Sequence, residues 1–447
     1  MTAELLSPAG TIKSMQFAFA YGADAVYAGQ PRYSLRVRNN EFNKLENLET
    51  AINLAHQQGK QFYLATNLAP HNDKIRSFVR DMEPIIAMKP DALIMSDPGL
   101  IMLIRENWPD QQIHLSVQAN AVNWATVKFW HQQGLSRVIL SRELSIAEIG
   151  EIKQKVPEME LEVFVHGALC IAYSGRCLLS GYMTHRDSNQ GACTNSCRWK
   201  YQAHEAKETA EGDIVAVNPP LEQWQPENKP GQVEGVESKI YLLQEEGRPG
   251  EYMPAYEDEH GTYIMNSKDL RAIQHMQKLY ELGVDSFKIE GRTKSHFYVA
   301  RTAQLYREAL DDAIAGRCFN MKLMDKLEGL ANRGYTEGFY RRHLPAEYQN
   351  YESGTSKSVT QQFVGEILDV DRARHMMKIE VKNRFVVGDE IELMTPQGNV
   401  SFKLEHIESA KNGERMDIAP GSGHIVNIPM PMEDIPEQSM LIRNLPV

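Results

Sequence analysis

Four of the five cysteines lie within 28 residues, spaced Cys170-x6-Cys177-x15-Cys193-x3-Cys197. Four thiolates can satisfy a tetrahedral zinc ion or an iron–sulfur cluster. Soft sulfur ligands select zinc, copper(I) or iron–sulfur over hard cations. Disulfides are the alternative in an oxidising compartment, and buried free thiols are the other. Zinc sites usually carry C-x2–4-C pairs at both ends, and the six residues after Cys170 fit that rule badly. The spacing therefore predicts one metal site and leaves zinc and iron–sulfur open. Cys318, beyond a helix-like stretch, reads as a packing cysteine.

The elements that must position these thiols follow one pattern. Near-continuous apolar runs alternate with helical stretches, as in parallel strands buried on both faces. Strands are expected at Glu4–Ser7, Ala25–Ala28, Gln61–Thr66, Ala92–Ser96, Ile113–Gln118, Arg137–Ser141, Leu161–His166 and Ser286–Glu290, with helices at Ile12–Tyr21 and His296–Ile314. Eight strands alternating with helices predict an α/β chain with a (β/α)8 TIM-like barrel over residues 1–203 plus 263–345. The competitor is an open doubly wound sheet, whose dinucleotide version lacks its G-x-G-x-x-G after strand 1. Residues 204–262 form an acidic, proline-rich insertion with long loops. Short strand-like runs separated by turns predict a small all-β barrel domain over 355–447, without cysteines.

On this reading Cys170 lies just past strand 7, on the C-terminal rim where catalytic groups of a barrel gather. The other strand ends also carry polar groups. His166, Glu143 and Glu290 are candidates for acid–base work. Asn67, Gln118, Asn120, Arg142, Lys288 and Arg292 are candidates for binding substrate. Arg32, Arg36 and Arg38 bracket Tyr33, and Arg176, Arg186, Arg198 and Lys200 flank the cysteines beside Trp199. Guanidinium groups suit carboxylates and phosphates, and neighbouring aromatics can stack on unpaired bases. A solvated charged surface is the plainer account of the same arginines.

A net charge of −11, taken as a sum, opposes a nucleic-acid partner. Between His204 and His260, however, 14 acids face 4 basic residues, which leaves the rest of the chain at −1. An acidic insert can thus mask a basic face elsewhere. No apolar run reaches the ~20 residues of a membrane span. Met1–Ser7 lacks the basic start and apolar core of a secretory signal, so a cytoplasmic protein is expected. H-E-x-x-H, G-x-S-x-G and G-x-x-x-x-G-K-[ST] are all missing, which leaves zinc-protease, α/β-hydrolase and P-loop readings without a motif.

The run Glu162-x-Phe164-x-x-Gly167-Ala168-Leu169-Cys170-x4-Gly175-x-Cys177-x-Leu179-Ser180 resembles the signature of the U32 "peptidase" family. Leu6–Gly10, Gly22–Arg36, Leu115–Trp124 and Met265–Asp269 resemble its tRNA-hydroxylating branch, and the likeness spans the chain. The resemblance implies hydroxylation of wobble uridine (U34) in tRNA to 5-hydroxyuridine, the first step towards 5-carboxymethoxyuridine. It implies prephenate as co-substrate without dioxygen, and a [4Fe–4S] cluster on Cys170, Cys177, Cys193 and Cys197. The expected partners are the anticodon loop of tRNA, prephenate and an electron-donor protein. The alternatives are a collagenase-like U32 peptidase and a non-catalytic RNA- or partner-binding protein with structural zinc.

Overall fold

The computed structural model describes residues 3–30, 32–35, 40–169, 173, 176, 268–330, 332, 334–341 and 361–445, and the backbone of four strands between 201 and 256. Seven strands run in order around a parallel sheet: β1 (Glu4–Pro8), β2 (Ala25–Gly29), β3 (Gln61–Thr66), β4 (Ala92–Met95), β5 (Ile113–Leu115), β6 (Arg137–Ile139) and β7 (Glu160–Ala168). Within the inserted stretch, β8 (Tyr201–Glu208), β9 (Ile214–Ala216), β10 (Ile240–Glu245) and β11 (Tyr252–Tyr256) form an antiparallel sheet of their own. β12 (Asp269–Arg271) returns to β7, and β13 (Ser286–Ile289) pairs in parallel with both β7 and β1. Ser286 stands opposite Glu4 on one side and Glu162 on the other, so the eight parallel strands close a barrel.

Helices alternate with the strands: α1 (Ile12–Ala20), α2 (Leu45–Gln57), α3 (Asn72–Ala87), α4 (Pro98–Asn107), α5 (Trp124–Gln132), α6 (Ile146–Lys155), α7 (Met276–Glu281), α8 (His296–Ile314) and α9 (Lys322–Glu328). Polar residues on the rim start several of them. Thr11, Asp97, Asn123, Ser145 and Ser295 each accept a backbone N–H of the first turn, which satisfies a donor that the helix leaves orphaned. β5 stops three residues before its predicted end. Ser116 N–H donates to the Met95 carbonyl, and a 3-10 turn over Val117–Ala119 ends at Asn120 in the left-handed region, at φ 52°.

β7 is the longest barrel strand. Its pairing with β13 shifts register between Lys288 and Ile289, and its last residues, His166 to Ala168, pair antiparallel with β12. The irregularity re-aims the strand's end, so His166 leaves the barrel axis. β14 (Tyr335–Thr336) extends the sheet beyond β12.

The C-terminal domain runs from β15 (Gln361–Asp371) to β24 (Met440–Asn444) as an antiparallel half-barrel. It packs on α1 and α8. Phe297 stacks on Phe363 with centroids 5.0 Å apart. Tyr21 Oη lies 3.0 Å from the carbonyls of both Met394 and Gln438. Arg301, buried on α8, pairs with Glu392 at 2.9 Å. Cys318 is exposed rather than packed: α8 ends at Ile314, and Gly316, with φ +66°, turns the chain beyond it.

Candidate active site

The barrel interior is charged where apolar layers are usual. At its lower end Arg137 Nη1 lies 2.6 Å from Glu4 Oε1 and 3.4 Å from Glu162 Oε2, and Tyr63 and Ser286 also donate to Glu4. One layer higher, Lys288 Nζ donates to Glu162 Oε1 at 2.6 Å. Glu162 is fully buried and Lys288 almost so. Burial pushes the Lys288 pKa down, and the Glu162 carboxylate opposes that shift.

Above this pair the mouth is lined by aromatic faces and guanidinium groups. Lys288 Nζ stands 4.3 Å from the Tyr27 ring centroid and 5.4 Å from that of Phe164. Arg142 stacks on the same Phe164 ring at 3.7 Å and lies 3.4 Å from Glu290 Oε2. Arg292 lies 5.7 Å from the Tyr27 ring, and its Nη1 donates to Ser34 Oγ at 2.9 Å. Three cations from β13 and the loops after β6 and β13 thus share two aromatic rings. Burial raises the Glu143 pKa, with Arg142 opposing it.

The remaining predicted residues stand apart from this group. Asn67 donates to Ser116 Oγ at 3.2 Å and holds the loop ends together. Asn120 Oδ1 accepts from Arg176 Nε at 3.2 Å. Gln118 sits half-buried in the 3-10 turn. Arg32 points at α3, where it pairs with Asp81 at 2.7 Å and its side chain is 52% exposed. Cys170, Cys177, Cys193, Cys197, Arg36, Arg38, Arg186, Arg198, Trp199 and Lys200 lie outside the described residues. No group of three metal-ligating side chains occurs among the described ones.

His166 is buried among three tyrosines, with ring centroids 5.8 Å from Tyr298, 5.4 Å from Tyr306 and 5.5 Å from Tyr335. Burial lowers its pKa to about 3, which keeps the imidazole neutral. Tyr306 donates its hydroxyl proton to the Val165 carbonyl at 2.7 Å, so its 3.3 Å contact with His166 Nδ1 has the ring N–H as donor. This assigns the tautomer and leaves Nε2 the acceptor.

Residues 10–350 match the peptidase family U32, and residues 359–443 match the C-terminal domain of that family. The chain belongs to the U32 family. Among its U32 relatives, tRNA hydroxylation protein P of Escherichia coli is 62% identical over 99% of this chain and 96% of its own length. The protein of the same name from Haemophilus influenzae is 61% identical over 99% of this chain and 96% of its own length. An "uncharacterized protease" from Methanocaldococcus jannaschii is 32% identical over 93% of this chain and 94% of its own length.

Sequence reasoning missed four side chains of this candidate site. Glu162 and Phe164 stood in the signature run but were not read as site residues. Tyr27 lay only within the run Gly22–Arg36 that carries the family resemblance. Ser34 gave no signal, because its role depends on an arginine 258 positions away.

Proposed function

We propose that this chain hydroxylates C5 of the wobble uridine (U34) of tRNA, giving 5-hydroxyuridine as the first step towards 5-carboxymethoxyuridine. Prephenate is the co-substrate and dioxygen is not used. The observation that carries the reading is the convergence of Arg142, Lys288 and Arg292 on two aromatic rings at the barrel mouth, in a chain 62% identical to a tRNA hydroxylation protein. Guanidinium groups suit the two carboxylates of prephenate. A base flipped from the anticodon loop can stack on an aromatic face, since chemistry on a base requires it out of its stack.

The four thiolates Cys170, Cys177, Cys193 and Cys197 form a donor set suited to a [4Fe–4S] cluster. Such a cluster, when bound, would supply one-electron chemistry, with an electron-donor protein as its partner. The reading places the protein in the cytoplasm with its tRNA. No helix among the described residues is long and apolar enough to cross a membrane.

The test starts from protein purified without oxygen, incubated with unmodified tRNA, a reductant and prephenate, with nucleosides analysed by mass spectrometry. The expected result is 5-hydroxyuridine at position 34 only when prephenate is present, and about four irons per chain lost in Cys170→Ala. One zinc per chain with no hydroxylated nucleoside would sink the reading in favour of a binding protein. Cleavage of denatured collagen that survives iron removal would favour a peptidase.

A further inference from the structure

We propose that Lys288 is a covalent catalytic residue, forming an imine with the keto group of a 2-oxo acid while Glu162 handles its protons. The inference rests on the proposed use of a 2-oxo dicarboxylate at this mouth, and deepens it.

Three features of the geometry point to Lys288. An ammonium group inside a barrel is costly to desolvate, and an aliphatic side chain would fill the same space without that cost. Lys288 is nonetheless 3% exposed, on the inward side of β13, two residues below Glu290 at the mouth. Among the described residues its amine bonds to one carboxylate, Glu162, at 2.6 Å. Finally, the two rings that flank it, Tyr27 and Phe164, are the rings beside Arg292 and Arg142. A dicarboxylate held by the two guanidinium groups directs a carbonyl between them towards the amine. A desolvated lysine is a suitable Schiff-base nucleophile, and burial acts on Lys288 in that direction.

The step balances without an oxidant or reductant. Glu162 takes a proton from the Lys288 ammonium, and the freed amine attacks the keto carbon. The carbon–nitrogen bond forms as the carbonyl π electrons move to oxygen, and the proton that the attacking nitrogen sheds passes to that oxygen, giving a neutral carbinolamine. Glu162 returns its proton to the carbinolamine hydroxyl, which leaves as water, and a protonated imine is left on Lys288. That cation is an electron sink next to the substrate's own carbon skeleton.

The experiment uses the full chain, purified without oxygen. It is incubated with prephenate, then with sodium cyanoborohydride, and the adduct is located by peptide mass mapping. In parallel, equilibrium dialysis measures prephenate binding, and pyruvate serves as the minimal 2-oxo acid. The expected result is one adduct on the Lys288 peptide, absent in Lys288→Arg and formed about 10²-fold more slowly in Glu162→Gln. Because mapping is done on the unaltered protein, the assignment holds even if a variant fails to fold. Prephenate that binds without forming an adduct, or an adduct on another lysine, overturns the Lys288 proposal and leaves the proposed function standing. Pyruvate trapped on Lys288 with no prephenate binding supports Lys288 and overturns the prephenate reading. Neither compound bound nor trapped overturns both.

Discussion

Gly167 on β7 and Glu290 after β13 touch along their backbones: a β-carbon built on Gly167 would stand 2.6 Å from the Glu290 carbonyl oxygen. The same carbonyl accepts the Tyr298 hydroxyl at 2.9 Å, and Glu290 N–H donates to the His166 carbonyl. Gly167 also has φ +104°, which L side chains rarely adopt. Gly167→Ala should therefore cost about 3 kcal/mol from strain and steric clash together. It should also displace Glu290, and with it the carboxylate beside Arg142. The expected outcome is a melting temperature several degrees lower and hydroxylation reduced more than the loss of folded protein explains. Wild-type activity in a stable Gly167→Ala protein would show that Glu290 tolerates the shift.

His166 should make stability pH-dependent. Its folded pKa is lowered to about 3 by burial, whereas an unfolded histidine titrates near 6.5. Between these values the unfolded chain binds a proton that the folded chain does not, so stability falls as pH drops through that window. From pH 6.5 to 5 the loss from this residue is about 2 kcal/mol. Urea unfolding at the two pH values should show a smaller difference in His166→Phe than in the unaltered chain. The slope should shrink rather than vanish, because burial also lowers the His114 pKa well below the usual value. An unchanged difference would mean that His166 is protonated in the fold.

The arginines should separate by place. Arg142 and Arg292 lie over the rings that flank Lys288, while Arg32 pairs with Asp81 on the outside of the barrel. Removing a charge-assisted hydrogen bond to substrate costs about 1.5–3 kcal/mol. Arg142→Ala and Arg292→Ala should thus raise KM for prephenate about 10- to 100-fold. Arg32→Ala removes a half-exposed pair and should shift stability by under about 1 kcal/mol with KM unchanged. Steady-state formation of the modified nucleoside checks this, and an Arg32→Ala effect equal to that of Arg142→Ala would place the anion elsewhere.

These contrasts show what the sequence made legible. The barrel strands were readable because both of their faces are buried, which leaves continuous apolar runs such as Ala92–Met95. The early end of β5 was not, since the 3-10 turn over Val117–Ala119, closed by Asn120 in the left-handed region, leaves the alternation of apolar residues through Val117 unbroken. Arg142, Lys288, Glu290 and Arg292 could be picked out as strand-end polar residues. Their division from Arg32 could not, because it depends on which side of β2 the following loop lies. The Glu162–Lys288 pair was hidden for the same reason: its partners are 126 residues apart and meet only when the barrel closes. Tyr298 and Tyr306 read as part of an amphipathic helix, and only β7's departure towards β12 brings His166 between them.

The junction between the barrel and the half-barrel holds a buried ion pair. Arg301 is 1% exposed and pairs with Glu392 at 2.9 Å, with Gln361 at 3.2 Å beside it. Taking one partner from a buried ion pair costs about 3–5 kcal/mol, because the other charge is left desolvated, whereas replacing both is often neutral. Arg301→Met should destabilise the junction by that amount, and Arg301→Met with Glu392→Met should recover most of it. A second, more exposed cluster should act through pH. Burial pushes the Glu366 pKa up, but His296 and Lys13 outweigh it and hold the value down at about 2, below the ordinary carboxylate value, with Lys382 3.3 Å from the same carboxylate. Its contribution is present above the unfolded value of about 4.3 and is lost as pH falls towards 2. Solvent screening limits it to roughly 1 kcal/mol, since Lys13 is half exposed. Calorimetry should show one transition for the unaltered chain at pH 7 and two for Arg301→Met, with the C-terminal half-barrel unfolding separately. A single transition in Arg301→Met at an unchanged temperature would mean that Phe297, Phe363 and Tyr21 hold the domains together without the ion pair.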